Sequence, residues 1–158
     1  MTPLRLVKKL VKTAEISPPD EFFLRPYGGP DDITVWLEIH AAVFVPLARP
    51  GRLWTEADFR REFLEKPGWQ AGAMWFACQQ EKPIGTVTWT PMERSRSVAM
   101  IRWLAVLPDW RRQDVATYLM QTVERLCLEQ GHAVAEVETL PSWESAVTFY
   151  QARGYESK

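Results

Sequence analysis

The chain has 158 residues, of which 46% are hydrophobic and 25% are charged. This size and composition are typical of one globular domain, and they exclude a disordered, a collagen-like and a coiled-coil protein. Lys and Arg number 19 and Asp and Glu number 20, so the net charge is −1. Dedicated nucleic-acid-binding proteins carry a basic surplus, so we expect no nucleic-acid partner.

The cysteines and the apolar runs indicate the cellular setting of the protein. Cys78 and Cys127 lie far from each other and from any His at metal-ligand spacing, so we expect neither disulfides nor a metal site. No apolar run reaches the roughly 20 residues that a membrane-spanning helix needs. Lysines interrupt the N-terminal stretch where a secretory signal would be apolar, so the expected location is cytoplasmic.

Residues 1–20 are predicted to form an N-terminal arm ahead of a domain at 21–158. Four apolar residues of the arm fall on one helical face, with basic residues around them: Leu4, Val7, Leu10 and Val11. Basic amphipathic helices bind anionic membranes or partner proteins in some cases. The simpler interpretation, which we favour, is a short helix or a loose tail ahead of Pro18 and Pro19.

The domain at 21–158 shows a succession of strand-like and helix-like patterns. In chain order we predict a strand at 22–26, a helix capped by Asp31 or Asp32 and running to Val43, a helix at 55–64 with a capping box, strands at 73–78, 84–90 and 98–106, a helix at 115–130, a strand at 133–140 and a helix capped by Ser142 that ends at Gly154. Turn-forming residues between the three middle strands favour an antiparallel meander. This order predicts an α/β or α+β fold, in which helices cover one sheet.

The segment from Val106 to Ala116 has the sequence VLPDWRRQDVA, in which a strand ends and a helix begins. Such a junction places unpaired backbone N–H groups and the positive end of a helix dipole at one point. That arrangement is suited to phosphate or pyrophosphate, and Arg111 and Arg112 would add charge-assisted hydrogen bonds. The alternative is that both arginines are merely solvated at the start of a helix.

The same segment resembles the signature of the GNAT superfamily of N-acetyltransferases, V-x-P-x-x-[RQ]-R-x-G-[VIL]-[GA]-x-x-L. The matching residues are Val106, Pro108, Arg111, Arg112, Val115, Ala116 and Leu119. A second family signature, on the last helix, is matched by Ala146, Phe149, Tyr150, Gly154 and Tyr155. The resemblance extends over residues 21–155. It implies a mixed, mostly antiparallel sheet flanked by helices, with a shortened C-terminus in this chain.

The resemblance implies transfer of an acetyl group from acetyl-CoA to a primary amine of a small molecule or peptide, by direct attack on the thioester. In the family, the main chain of the strand before the loop pairs with the pantetheine arm, and the loop cradles the pyrophosphate. The strand residues here are Leu104, Ala105 and Val106, and the loop residues are Arg111, Arg112, Gln113, Asp114, Val115 and Ala116. The acceptor is expected to lie against the segment 43–59.

Two residues match catalytic positions of the family. Tyr150 matches the residue that commonly protonates the leaving thiolate, and Glu138 matches a carboxylate that serves as general base in the ribosomal-protein branch. A carboxylate can accept the proton that an ammonium group must lose before it attacks, and a Tyr hydroxyl can protonate a thiolate. The alternatives are a packed aromatic for Tyr150 and an exposed strand carboxylate for Glu138.

Three features depart from the family pattern. Asp114 replaces the signature Gly of the loop, Trp143 replaces the Asn of the second signature, and the chain stops soon after Tyr155. The carboxylate of Asp114 either faces the pyrophosphate or caps the following helix, and we favour the cap. Other members continue into strands that complete the sheet. Here the site is open, or another chain or the N-terminal arm completes it, and an open edge favours a homodimer.

These departures support a second possible function. A catalytically silent domain that binds coenzyme A or regulates a partner would tolerate a negatively charged residue at position 114. A measurement of acetyl-CoA binding separates the two functions.

Overall fold

The computed structural model describes residues 2–47 and 51–158, and a seven-stranded sheet lies at its centre. The strands are β1 (Leu4–Lys9), β2 (Phe23–Pro26), β3 (Met74–Gln79), β4 (Lys82–Met92), β5 (Ser95–Val106), β6 (Val134–Thr139) and β7 (Glu156–Ser157). The helices are α1 (Asp31–Val43), α2 (Glu56–Phe59), α3 (Val115–Glu129) and α4 (Glu144–Ala152), and a π-helical turn over Arg60–Leu64 continues α2. Part of the predicted acceptor segment, residues 48–50, lies outside the described residues.

The strands lie in the order β2-β3-β4-β5-β6-β1-β7. Every neighbouring pair is antiparallel except β5 and β6, which run parallel. Parallel neighbours need a crossover connection, and α3 provides it between these two strands. The predicted mixed, mostly antiparallel sheet is confirmed, and β3, β4 and β5 form the predicted meander.

Helices lie on both faces of the sheet, and each face has its own apolar core. On one face, α3 and α4 bury Leu119, Val123 and Tyr150 against the strands. On the other face, α1 and α2 bury Trp36 and Phe59. Among the described residues, this second core includes residues of β3 and β5 but none of β1 or β6. None of the helices in the described part of the chain is long and apolar enough to cross a membrane.

The prediction of a helix or loose tail for the N-terminal arm is wrong for residues 4–9, which form β1. This strand pairs with β6 from Leu4–Thr139 to Lys9–Val134, and with β7 on its other side. Leu6, which lies off the predicted helical face, is fully buried, whereas Val11, which lies on that face, is 61% exposed. Pairing with the edge of β6 satisfies the backbone of the whole segment, whereas an isolated short helix is marginal in water.

The starts of the helices match the sequence only in part. The predicted capping box of α2 is confirmed, because Thr55 Oγ1 accepts from the N–H of Asp58 at 3.3 Å and the Asp58 carboxylate accepts from the N–H of Thr55 at 2.8 Å. The caps predicted for α1 and α4 are wrong. Pro30 and Trp143 hold those N-cap positions, and neither makes a side-chain capping bond.

Glu124 of α3 joins three segments that are distant in sequence. Its side chain is 11% exposed and accepts hydrogen bonds from Tyr155 Oη at 2.7 Å, Arg153 Nη2 at 2.8 Å and Lys8 Nζ at 3.2 Å. Burial raises the pKa of Tyr155, so its phenol remains a donor at neutral pH. Lys8 belongs to β1, and the other two donors follow α4. One carboxylate therefore holds β1 and the C-terminal segment against α3.

We predict that Glu124→Ala lowers the free energy of unfolding by about 3 kcal/mol. The substitution leaves the largely buried guanidinium group of Arg153 and the phenol of Tyr155 without their hydrogen-bond acceptor. Urea unfolding followed by circular dichroism measures the loss. The control is Glu129→Ala, on the exposed end of the same helix, which should change stability by no more than about 0.5 kcal/mol. Equal effects of the two substitutions would contradict this role of Glu124.

Candidate active site

The two parallel strands separate in the middle of the sheet. β5 and β6 pair from Val98–Val134 to Ile101–Val137, and the pairing ends there. β5 nevertheless continues to Val106. From residue 102 onward, the edge of β5 that faces β6 has no strand partner among the described residues. This separation opens a gap through the sheet that is walled by backbone.

A β-bulge in β5 lies just beyond Ile101, the last residue of β5 that pairs with β6. The pairs Thr86–Ala105 and Thr88–Arg102 enclose one more residue on β5 than on β4. Within this bulge Trp103 has φ 58°, in the left-handed region that costs a non-glycine residue about 1 kcal/mol or more. Bulges bend the strand that carries the extra residue. The bend in β5 therefore coincides with the start of the gap.

The predicted pantetheine residues lie on the unpaired part of β5. Ala105 is 3% exposed and belongs to the core under α1 and α2, whereas Val106 and Leu104 pack on the side of α3. Their side chains are thus anchored in the two cores. The backbone edge of this segment toward β6 stays open, which fits an extended ligand that pairs as a strand would.

The loop after β5 presents a series of free backbone donors. The N–H groups of residues 112–117 find no acceptor among the described residues, and the first bond of α3 runs from the N–H of Tyr118 to the carbonyl of Asp114 at 3.1 Å. Arg112 and Asp114 both have positive φ, 67° and 63°. Successive N–H groups in such a conformation form a concavity that binds anions. This geometry fits the predicted pyrophosphate site.

Two side chains fix the shape of this loop. Arg111 Nε donates to the carbonyl of Val106 at 3.3 Å, and Gln113 Nε2 donates to the carbonyl of Asp109 at 3.3 Å. The first contact ties the loop to the end of β5. Arg112 is exposed at the surface of the loop, beside the free donors.

The favoured capping role of Asp114 is wrong. Asp114 holds the N-cap position of α3, but its side chain makes no capping hydrogen bond. Its left-handed backbone explains why the family signature has Gly here, since Gly adopts that conformation without steric cost. Asp is one of the few other residues that tolerate it. Asp114 is exposed, and its backbone belongs to the loop that carries the free N–H groups.

Tyr150 of α4 lies on the face of the sheet covered by α3 and α4. It is 9% exposed and packs against the rings of Phe149 and Tyr155, at centroid distances of 5.5 and 5.7 Å. No described residue hydrogen bonds to its hydroxyl. Burial raises the pKa of Tyr150 to about 12, so the hydroxyl keeps its proton at neutral pH. It can therefore act as a proton donor.

Glu138 of β6 lies on the opposite face. Its side chain is 33% exposed and contacts Arg5 of β1, with Nε and Oε2 separated by 3.5 Å. The sequence placed Glu138 and Tyr150 in one active site, and the fold sets them on the two sides of the sheet. Because the gap between β5 and β6 passes through the sheet, a group inside it is reachable from both faces.

A cleft of about 620 Å³ occupies the face of the sheet that carries Glu138. Its lining includes Thr88, Met100, Arg102, Glu136 and Glu138 from three adjacent strands. This is the region that α1 and α2 leave uncovered. The cleft therefore meets the gap on the side away from Tyr150.

The cleft is also lined by Arg5, Arg102 and Glu136, which were not predicted as site residues from the sequence. A signal for Glu136 was present, because the two-residue repeat of a strand puts Glu136 and Glu138 on the same face. Arg102 likewise follows the predicted strand pattern. For Arg5 the sequence carried no signal, because the N-terminal arm was interpreted as a helix.

Known proteins share this architecture. A sequence model of the acetyltransferase (GNAT) family matches residues 36–155. The mouse protein "probable N-acetyltransferase family 8 member 5" is 29% identical over 103 residues, covering 63% of this chain and 44% of that protein. A GCN5-related N-acetyltransferase from Sphaerobacter thermophilus superposes with a TM-score of 0.80 at 16% identity, over 99% of this chain and 48% of its own. The ribosomal-protein-S18-alanine N-acetyltransferase from Escherichia coli superposes with a TM-score of 0.65 at 17% identity, over 84% and 76%. This chain spans about half the length of the first two proteins.

An aromatic cluster surrounds the bulge, and its member Trp103 lines the cleft. The ring of Trp103 lies 5.0 Å from Trp54, 5.2 Å from Phe44 and 5.7 Å from both Trp36 and His40, measured between centroids. His40 is 5% exposed, and its Nδ1 has no partner among the described residues. Burial lowers the pKa of His40 below 6.5, so the ring is neutral at pH 7. The packed rings hold Trp103 in its unfavourable conformation.

The buried, neutral His40 predicts a pH dependence of stability. As the pH falls through about 6.5, the unfolded chain takes up a proton at His40 that the folded chain does not, so the free energy of unfolding decreases. His40→Phe keeps a ring in the cluster but cannot titrate. We expect urea unfolding between pH 7.5 and 5.5 to show a smaller decrease for this variant than for the parent. The parent and the variant both contain His132, so any contribution of that residue is the same in the two profiles. Parallel pH profiles would therefore contradict the role of His40.

Proposed function

Because the chain belongs to the GNAT family of acetyltransferases, we propose that it transfers an acetyl group from acetyl-CoA to a primary amine. The observation that carries the proposal is the continuity of two open backbone surfaces. The free N–H groups of residues 112–117 lie in the loop that follows the unpaired edge of β5. A ligand with a pyrophosphate and an extended amide-containing arm needs both surfaces in this order.

The residues of the loop fit the pyrophosphate of acetyl-CoA. Backbone N–H groups would donate to its oxygens, and the guanidinium groups of Arg111 and Arg112 would supply positive charge. The edge of β5 at Leu104, Ala105 and Val106 would pair with the pantetheine arm. Asp114 brings a negative charge to the loop, which two arginines and the helix dipole oppose.

Acetyl-CoA supplies a thioester carbonyl that an amine can attack directly. Glu138 would accept the proton that the acceptor ammonium loses, since it is a carboxylate at the floor of the cleft beside the gap. Tyr150 would give its proton to the departing thiolate from the other face, because its hydroxyl is protonated and has no partner among the described residues. The cleft would hold the acceptor, a small molecule or peptide.

We predict that replacing Arg111 and Arg112 together by Ala weakens acetyl-CoA binding by roughly 10-fold to 100-fold, the usual effect of losing one or two charge-assisted hydrogen bonds. Isothermal titration calorimetry on the full chain measures the affinity. The matched control replaces Arg60 and Arg61, which lie in the turn after α2 and pair with Glu56 and Asp58, and it should leave the affinity unchanged.

Two results of this titration would count against the proposal. Unchanged affinity in the Arg111 and Arg112 variant would remove the loop from the donor site. Tight acetyl-CoA binding without turnover of any amine, across peptides, polyamines and amino sugars, would support the silent binding domain instead.

We predict that Tyr150→Phe preserves the fold and the acetyl-CoA affinity but lowers kcat by about 100-fold or more, as expected for loss of a general acid. The phenyl ring retains the packing against Phe149 and Tyr155, so only the hydroxyl is lost. Steady-state turnover with a primary-amine acceptor gives the value, and Tyr27→Phe, in the other core, is the control. Parental turnover in the Tyr150 variant would make this residue a packing residue.

A further inference from the structure

Glu136 is a buried carboxylate at the floor of the cleft. Its side chain is 1% exposed, although its neighbour on the same face, Glu138, is 33% exposed. Glu136 Oε1 accepts a hydrogen bond from Lys158 Nζ at 2.9 Å. Glu136 Oε2 is buried and has no partner among the described residues. A buried carboxylate oxygen without a donor is unfavourable and is uncommon in folded proteins.

The position of Glu136 relates this free oxygen to the proposed reaction. Glu136 and Glu138 flank Val137, the last residue of β6 that pairs with β5. Their Cα atoms are separated by two residues of a strand, roughly 6.6 Å. Both side chains line the cleft. Two carboxylates therefore face the opening of the gap, one on each side of the point where the strands separate.

Attack by a primary amine calls for two hydrogen-bond acceptors in the site rather than one. A primary amine reaches the site as an ammonium group with three N–H donors, and one of these protons has to leave before the nitrogen can attack. The carboxylate that takes this proton does not by itself fix the direction of the lone pair that is exposed. A second acceptor, held rigidly on one of the remaining N–H bonds, fixes that direction.

We propose that Glu136 Oε2 accepts a hydrogen bond from one N–H of the substrate ammonium group and thereby positions the substrate nitrogen at the gap. Glu138 receives the proton that the ammonium group loses. This proposal rests on the proposed function, because that function makes the acceptor a primary amine. Glu136 then selects acceptors that bring a cationic nitrogen with N–H bonds. Lys158 keeps Glu136 Oε1 occupied, which leaves one oxygen for the acceptor.

Binding of a small ammonium probe tests the proposal without turnover. The probe is n-butylammonium, titrated into the full chain with coenzyme A present and followed by the NMR shifts of residues 136–138. We expect saturable binding to the parent. Glu136→Gln removes the charge but keeps the size, and it should weaken the probe by about 10-fold or more. Glu81→Gln, an exposed carboxylate in the turn between β3 and β4, is the matched control and should bind as the parent does.

Two further measurements separate binding from a structural role. Butyltrimethylammonium carries the same charge without N–H bonds, so it should bind the parent about 10-fold more weakly than butylammonium, and this difference should vanish in Glu136→Gln. Lys158→Ala removes the cation that competes for Glu136. It should retain or increase the affinity for butylammonium, whereas a purely structural ion pair would make Lys158→Ala as damaging as Glu136→Gln. If Glu136→Gln does not fold, the pair of probes and Lys158→Ala decide the question.

Equal binding of both probes by the parent, or unchanged butylammonium affinity in Glu136→Gln, would overturn the role of Glu136. The same samples are titrated with acetyl-CoA. Failure of the parent to bind acetyl-CoA would overturn the proposed function. The titration of butylammonium without coenzyme A would still test the role of Glu136 in binding the ammonium group. The two failures are therefore distinguishable.

Discussion

Pairing between β5 and β6 stops at Ile101 and Val137, although β5 lies in the middle of the sheet and runs on to Val106. An interior strand normally has both edges satisfied, because unpaired backbone groups away from water are costly. Here one edge is left open over the last part of β5, and the loop that follows it carries the free N–H groups of residues 112–117. The bulge at Trp103 and the aromatic cluster around it hold the strand in this arrangement. A ligand that pairs with this edge would supply the missing hydrogen bonds.

The sheet also separates the two candidate proton-transfer residues. Tyr150 lies in a dry core, where burial raises its pKa to about 12 and preserves its proton. Glu138 lies on the other face, in the cleft, where its carboxylate contacts Arg5. A donor and an acceptor on the same face would meet each other directly. The layer of β5 and β6 keeps them apart, and only the gap connects them.

Two segments that are distant in sequence, β1 and the C-terminal segment, contribute residues to the site. β1 fills the edge beside β6 and contributes Arg5, and the C-terminal segment contributes Lys158, whose N–H donates to the carbonyl of Arg5 at 3.1 Å. Glu124 of α3 holds both segments through Lys8 and Arg153. The stability of this corner and the shape of the cleft therefore depend on the same contacts.

Features that depend on interactions within a few residues could be predicted from the amino-acid sequence. The apolar stripe of α3, the capping box of Thr55 and Asp58, the meander of β3 to β5 and the strand–loop–helix junction at 106–116 all follow from local spacing and turn chemistry. The family signatures located the same junction and Tyr150. Glu138 was named on the family pattern, and its partner on β1 was not. Two-residue alternation in β6 also carried a signal for Glu136.

Other features depend on long-range contacts that no local pattern shows. Residues 4–9 have a helical pattern but form a strand, because their pairing partner β6 lies more than 100 residues away. The burial of Glu136 depends on Lys158 and β1, and the left-handed backbone of Trp103 depends on rings from α1 and the segment before α2. Local patterns report only the preferences of neighbouring residues. Burial, strand pairing and backbone strain are set by contacts between residues that the fold brings together.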